Sequence, residues 1–272
     1  MLFFKQLLSF KRGAKLADQR GSRRHAVGLG FPLKGTVSLV GRDMAGKATT
    51  GRESGVLWSG RPANLSEKGV SLQLPTAALT ARGEETELVL TLEAHRLVIP
   101  CKVAHFRIYN THALCGLTLR FDTPEVETAY RQLLETVGFG ASFTGTKSLL
   151  GGRNPPGVLR EQYQADNRFL LTAWRDAASR ELTGFEMLLG DFCVRGEAAG
   201  REMEIYSRQK QDGSLAKTAL TAPSLTLSTG VHGEVRQLYR WLVLNLPKAV
   251  PSDLRALLER FIRKEDILPP AP

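Results

Sequence analysis

The chain has 272 residues, 42% of them hydrophobic and 24% charged, which supplies a packed core and excludes collagen, coiled-coil and disordered classes. At about 100–200 residues per domain this length suggests two modules. Lys and Arg number 37 against 27 Asp and Glu, a net charge of +10, and residues 1–60 alone carry 11 basic against 3 acidic side chains. Most of the excess therefore lies in the first fifth of the chain, which predicts a local positive field and an anionic partner there.

The three cysteines, Cys101, Cys115 and Cys193, are far apart and form no C-x-x-C pair, so neither a disulfide framework nor a zinc knuckle is expected. A reducing cytosol suits them. No run approaches 18 apolar residues, and the apolar start Met1–Phe4 has its charge behind it, at Lys5 and Lys11-Arg12, rather than in front. The chain is read as neither membrane-spanning nor exported.

Residues 1–14 form an N-terminal amphipathic segment, with Phe3, Phe4, Leu7 and Leu8 at helical spacing over residues 1–12. It is expected to pack on the protein's own body or, through residues 1–15, to rest on an anionic membrane surface. From Gly28 to Phe121 short β-rich runs alternate with turn residues: Thr36–Val40, Val56–Trp58, Val70–Leu74, Thr86–Leu92, Leu97–Phe106 and Leu114–Phe121. Six such strands predict a small antiparallel barrel or sandwich. Asp122-Thr123-Pro124-Glu125 then offers an N-cap, a proline at the first helical position and first-turn acid, and Val126, Tyr130, Leu133, Leu134 and Val137 continue as a helix predicted to stop at Gly138.

Residues 138–157, with six glycines and two prolines, read as a linker. Residues 158–272 are expected to be an α+β module with strands Arg168–Trp174, Glu181–Leu189, Arg201–Arg208 and Ser214–Leu220, the last two joined by a turn at Gln211-Asp212-Gly213. A helix around Glu234–Asn245 is stopped by Pro247, and another begins at the cap Ser252.

No catalytic constellation appears. Gly140–Ser148 nearly spells a phosphate-binding loop, but Lys147 falls one residue late and the segment follows a helix pattern where that loop needs a strand. His105 and His112 share no metal-ligand spacing with Cys101 and Cys115, and there is no G-x-S-x-G elbow. No enzyme activity, metal or cofactor is assigned.

Two short motifs stand out: Arg20-Gly-Ser-Arg23-Arg24, an R-x-x-x-R ahead of the first strand, and Asn64-Leu-Ser66-Glu-Lys-Gly69. In their order, with the Cys115-Gly116-Leu-Thr-Leu-Arg-Phe121 strand and the helix from Pro124 behind them, they resemble the PilZ domain family. The resemblance covers residues 15–137 and implies a six-stranded antiparallel barrel closed by a C-terminal helix. It also implies binding of the bacterial second messenger cyclic di-GMP by Arg20, Arg24, Asn64, Ser66 and Gly69, with Arg23 ranked below them as a source of field.

The residue types suit that ligand. Guanidinium forks pair with phosphate oxygens or with guanine O6 and N7, an amide and a hydroxyl offer hydrogen bonds to a base edge, and glycine admits close backbone approach. Asn64 stands where the family more often has Asp, removing a carboxylate that could accept from two guanine N–H groups. The 40-residue separation of Arg24 and Asn64 exceeds the family's usual spacing, and the excess is placed in a lengthened hairpin loop at 41–54. The expected function is a cytoplasmic cyclic di-GMP receptor, at most peripheral at the inner face of the cell membrane, that signals to a protein partner through its C-terminal module and binds no specific nucleic acid. The alternative is a ligand-independent interaction or membrane-surface adaptor using the basic 1–60 block.

Overall fold

The structure, a computed structural model, describes residues 23–40, 55–146, 156–166, 168–208, 225–227 and 232–262. The 1–12 helix, Arg20, the 41–54 loop and the predicted strand at 214–220 with its turn at 211–213 lie outside the described residues. The chain divides into two compact units, one ending at Gly138 and the other beginning at Phe139.

The first unit contains β1 (His25–Ala26), β2 (Leu33–Leu39), β3 (Val56–Ser66), β4 (Gly69–Leu74), β5 (Glu85–Leu92), β6 (His95–Ile108), β7 (Ala113–Leu119) and, as far as Gly138, α1 (Pro124–Ser142). Antiparallel pairing runs β3-β2-β5-β6-β7-β4 and returns from β4 to β3, closing a six-stranded barrel; the two-residue β1 adds to β3. Closure removes the open edges that an isolated sheet would expose. Period-two alternation sets the interior: Leu88, Leu90 and Leu92 of β5 and Leu33, Val37 and Leu39 of β2 are buried, while their odd-phase neighbours are not. Gly35 belongs to the same inward set because a Cβ there would stand 2.5 Å from Leu72 Cδ2.

β3 runs from Val56 to Ser66, well past the predicted Val56–Trp58. Gly60 and Pro62 lie inside it: a Cβ at residue 60 would lie 2.3 Å from the Gln73 carbonyl oxygen, and Pro62 adjoins a bulge, where a missing N–H is tolerated. α1 begins as predicted, with the Thr123 hydroxyl accepting from the Val126 N–H at 3.4 Å ahead of Pro124. It does not stop at Gly138; it continues through Gly140 to Ser142. These glycines are close-approach positions inside the helix: a Cβ at 138 would meet the His25 ring at 2.9 Å, and one at 140 would meet Asn245 Cβ at 2.8 Å. The composition that reads as a linker thus opens with the last helical turn and β8 (Thr144–Thr146), whose Thr144 lies opposite Gln164. Residues 147–155 lie outside the described set.

The second unit is an antiparallel meander in which each strand pairs with the next: β8, β9 (Val158–Asp166), β10 (Phe169–Asp176), β11 (Leu182–Leu189), β12 (Phe192–Glu197), β13 (Glu204–Arg208) and β14 (Leu225–Leu227). Two helices, α2 (His232–Leu244) and α3 (Ser252–Glu259), follow. Phe185 of β11 stacks with Tyr239 at 6.0 Å and meets Phe261 edge-on at 5.2 Å, and the Tyr239 hydroxyl donates to the Leu258 carbonyl at 2.8 Å. The strands at 158–166 and 192–197 go unpredicted because neither alternates: Gln162 and Tyr163 are consecutive buried residues, as are Cys193 and Val194. Ser252 is the first helical residue of α3 rather than its cap; Pro251 occupies that position without a side-chain capping bond. Arg175 ties α3 to the sheet, its guanidinium reaching Asp253 Oδ2 at 2.6 Å and Glu161 Oε1 at 3.1 Å, and this contact holds the Asp253 carboxyl below its ordinary range.

Candidate ligand-binding site

β1 brings the arginine motif to the barrel. His25 lies opposite Leu65 and Ala26 opposite Asn64, and the Val27 N–H donates to the Ala63 carbonyl at 3.0 Å. Alternation settles the faces: Leu65 and Val70 are a buried pair inside the barrel, so Asn64, Ser66 and, across β1, Ala26 belong to its outer face. Arg24 and Arg23 are exposed, Asn64 is half-buried and Ser66 is buried. The structure therefore brings the residues directly after the first motif beside the second, although 40 residues separate Arg24 from Asn64.

Asn64 owes its orientation to a bulge. Pro62 pairs with Leu72 and Asn64 with the next residue, Ser71, so Ala63 is left over and the phase of β3 shifts by one. Without that extra residue Ala63 would face outward opposite Ser71.

The hairpin turn carrying Ser66 and Gly69 is held from three sides. The Ser66 hydroxyl donates to the Gly69 carbonyl at 3.1 Å, the Leu119 N–H donates to the Lys68 carbonyl at 2.9 Å, and the Tyr130 hydroxyl of α1 donates to the Ser66 carbonyl at 2.7 Å. Burial pushes the Tyr130 phenol well above its usual pKa, so it remains a neutral donor. Gly69 is required by packing: a Cβ would stand 2.6 Å from the Leu117 carbonyl oxygen of β7.

Three supporting residues escape sequence reading. Arg61 Nη1 donates to the Val27 carbonyl at 3.2 Å and its Nη2 to Gln73 Oε1 at 2.9 Å, fastening the segment behind the arginine motif to β4. Tyr130 appears in the sequence only as one apolar position of a helix. The His25 ring, on the inner side of β1, lies against Gly138 of α1. Burial, then the neighbouring Arg23, lowers its pKa below the ordinary 6.5, so the ring at this contact is neutral at pH 7.

The site has charge and hydrogen-bonding groups. Cys101 and Cys115 are buried thiols, each pushed up to about 12 chiefly by burial, the opposite of an activated nucleophile. Among the described residues no group of three or more His, Cys, Asp or Glu is placed to hold a metal ion, and no helix is long and apolar enough to cross a membrane.

Residues 20–138 match the family model of the PilZ domain. No curated protein matches the chain. Among solved structures, the PilZ domain of CeSA from a cellulose-synthesizing bacterium is similar at 14% identity, over 42% of this chain and 95% of that one, with a TM-score of 0.28.

Proposed function

We propose that residues 20–138, which match the PilZ domain model, form a domain of the cyclic di-GMP receptor family, and that the chain is a cyclic di-GMP receptor whose barrel passes the binding event to residues 158–272. The observation that carries the reading is the β1–β3 pairing of His25 with Leu65 and Ala26 with Asn64, which brings the chain directly after Arg24 to the strand that carries Asn64 and Ser66. Arg20 and Arg24 supply guanidinium forks to phosphate and guanine, Asn64 bonds a guanine edge, Ser66 accepts from a base N–H, and Gly69 keeps the turn low against the barrel. Arg23 adds positive field. The receptor is a switch with no chemistry of its own, and the ligand needs no cofactor.

Ligand pulls on an anchored segment. When the arginines close on the nucleotide they load β1, and β1 carries His25 against Gly138 near the end of α1. A ligand can shift such an element only by the difference in its affinity for the two arrangements. The C-terminal module reads that shift out to a protein partner in the bacterial cytoplasm, with residues 1–15 as a peripheral contact to anionic membrane.

Calorimetric titration of the whole chain at about 0.15 M salt, with cyclic di-GMP and with GTP, tests the reading, because unspecific phosphate attraction is screened and shared by both ligands. Micromolar or tighter binding of the cyclic dinucleotide alone is expected. Equal, salt-labile binding of both would indicate a basic surface without a site, as in a ligand-independent adaptor.

A further inference from the structure

Closure of the barrel leaves one stretch of strand edge open. β5 begins at Glu85, opposite Lys102, and the chain before it bonds to β6 only as far as Val103, whose carbonyl accepts from the Gly83 N–H at 2.8 Å and whose N–H donates to the Glu84 carbonyl at 2.8 Å. β6 runs on to Ile108, paired among the described residues with β7 alone, Arg107 opposite Leu114 and Ile108 opposite Ala113. Residues 104–108, about 17 Å of strand, therefore overhang.

Backbone alternation tells which groups face the open side. The Tyr109 N–H donates across the hairpin to the His112 carbonyl at 2.8 Å. Successive residues of a strand turn their N–H and C=O to opposite sides, so Ile108 and Phe106 turn theirs away from β7. No described strand pairs with them there. The hairpin is already fixed at its tip, where the Tyr109 and His112 rings stack with centroids 5.1 Å apart, so it needs little ordering to receive a partner. Its two faces differ. Phe106 and Ile108 lie across from the buried Cys115 and Ala113, on the inner face, where Phe106 is half-buried and Ile108 is 53% exposed; Arg107 is exposed on the outer face.

A free strand edge beside exposed apolar side chains receives an added strand. We propose that the overhang of β6 is a docking edge for an extended segment of a partner protein. That segment continues the line of β5 and bonds the N–H and C=O groups of Phe106 and Ile108. It sets apolar side chains beside those two residues and an acidic one beside Arg107. A second copy of this chain suits the edge poorly: antiparallel pairing that uses both Phe106 and Ile108 is centred on Arg107 and puts the two arginines directly opposite, which is destabilising. The charge that blunts the edge against its own copy selects an acidic strand. The inference does not rest on the nucleotide reading, because β4 leads from Gly69, in the nucleotide turn, to Leu74 at the far end of the barrel, opposite Ala113 at the base of the overhang.

The test titrates a short fluorescent peptide of alternating valine and glutamate, and its valine–lysine counterpart, into the full chain and its Ile108→Pro and Arg107→Glu variants, with thermal unfolding as a check on folding. Tighter binding of the glutamate peptide is expected. Ile108→Pro removes an N–H that bonds nothing in the fold and is expected to weaken that binding between about twofold and about twelvefold. Arg107→Glu is expected to reverse the preference between the two peptides. Amide exchange read by NMR gives the position: the glutamate peptide should slow Phe106 and Ile108 and leave Tyr109, already bonded to His112, as it was. No binding by the folded parent up to about 1 mM peptide, or binding that both variants leave unchanged, overturns the proposal. So does dimerisation of the chain that Ile108→Pro abolishes, which would make a second copy the occupant.

Discussion

Replacing Arg20 and Arg24 together with alanine is expected to weaken cyclic di-GMP binding by on the order of 10²–10⁴-fold while leaving the fold intact. Hydrogen bonds to charged groups contribute about 1.5–3 kcal/mol each, and two such residues together account for the range. Arg24 is exposed and precedes the first hydrogen-bonded strand residue, so its loss removes no core contact and thermal unfolding should hardly change. Arg23→Ala is the internal comparison: it removes the same charge from the same segment without a motif position. Binding by the double variant equal to the parent's would remove both arginines from the site.

Tyr130 has the largest expected effect on stability. Its ring is fully buried in α1, tilted against Phe121 at 5.4 Å, and its hydroxyl fastens the turn that carries Ser66 and Gly69. Truncation to alanine leaves a large cavity and should cost about 3–5 kcal/mol. Tyr130→Phe keeps the ring and strips the Ser66 carbonyl of this donor, a smaller loss of about 1–3 kcal/mol. Denaturant unfolding of the two variants should rank them in that order. The phenylalanine variant should also bind cyclic di-GMP more weakly, because the turn loses its support from α1. Parent-like affinity in folded Tyr130→Phe would show that the turn does not depend on that bond.

Much of the barrel is legible in the sequence because its signals are local. Period-two alternation in β5, the Thr123-Pro124 start of α1 and the apolar phase through Tyr130 and Val137 each report a single element. What stays hidden depends on contacts distant in sequence. Gly138 looks like a stop and Gly140 like part of a linker until His25 and Asn245 are seen to occupy the space of their missing side chains. Pro62 looks like a strand end until the bulge beside it is known. β9 carries little apolar alternation because consecutive Gln162 and Tyr163 are both buried. The site divides along the same line. Its two motifs are visible as spacings, but Arg61, Tyr130 and His25 acquire their positions only through cross-strand register and helix packing, which no window along the chain contains.

Amide hydrogen exchange of the whole chain, with and without saturating cyclic di-GMP, bears most directly on the claim that β1 and the β3–β4 turn form one nucleotide site coupled to α1. A two-residue strand at the barrel's margin should exchange readily in the free protein and slow when the arginines close on ligand. The account predicts added protection over residues 23–27 and 62–71, together with a change near Gly138 where His25 rests on α1. Protection confined to other segments, or tight binding with exchange at 23–27 and 62–71 unaltered, would contradict it.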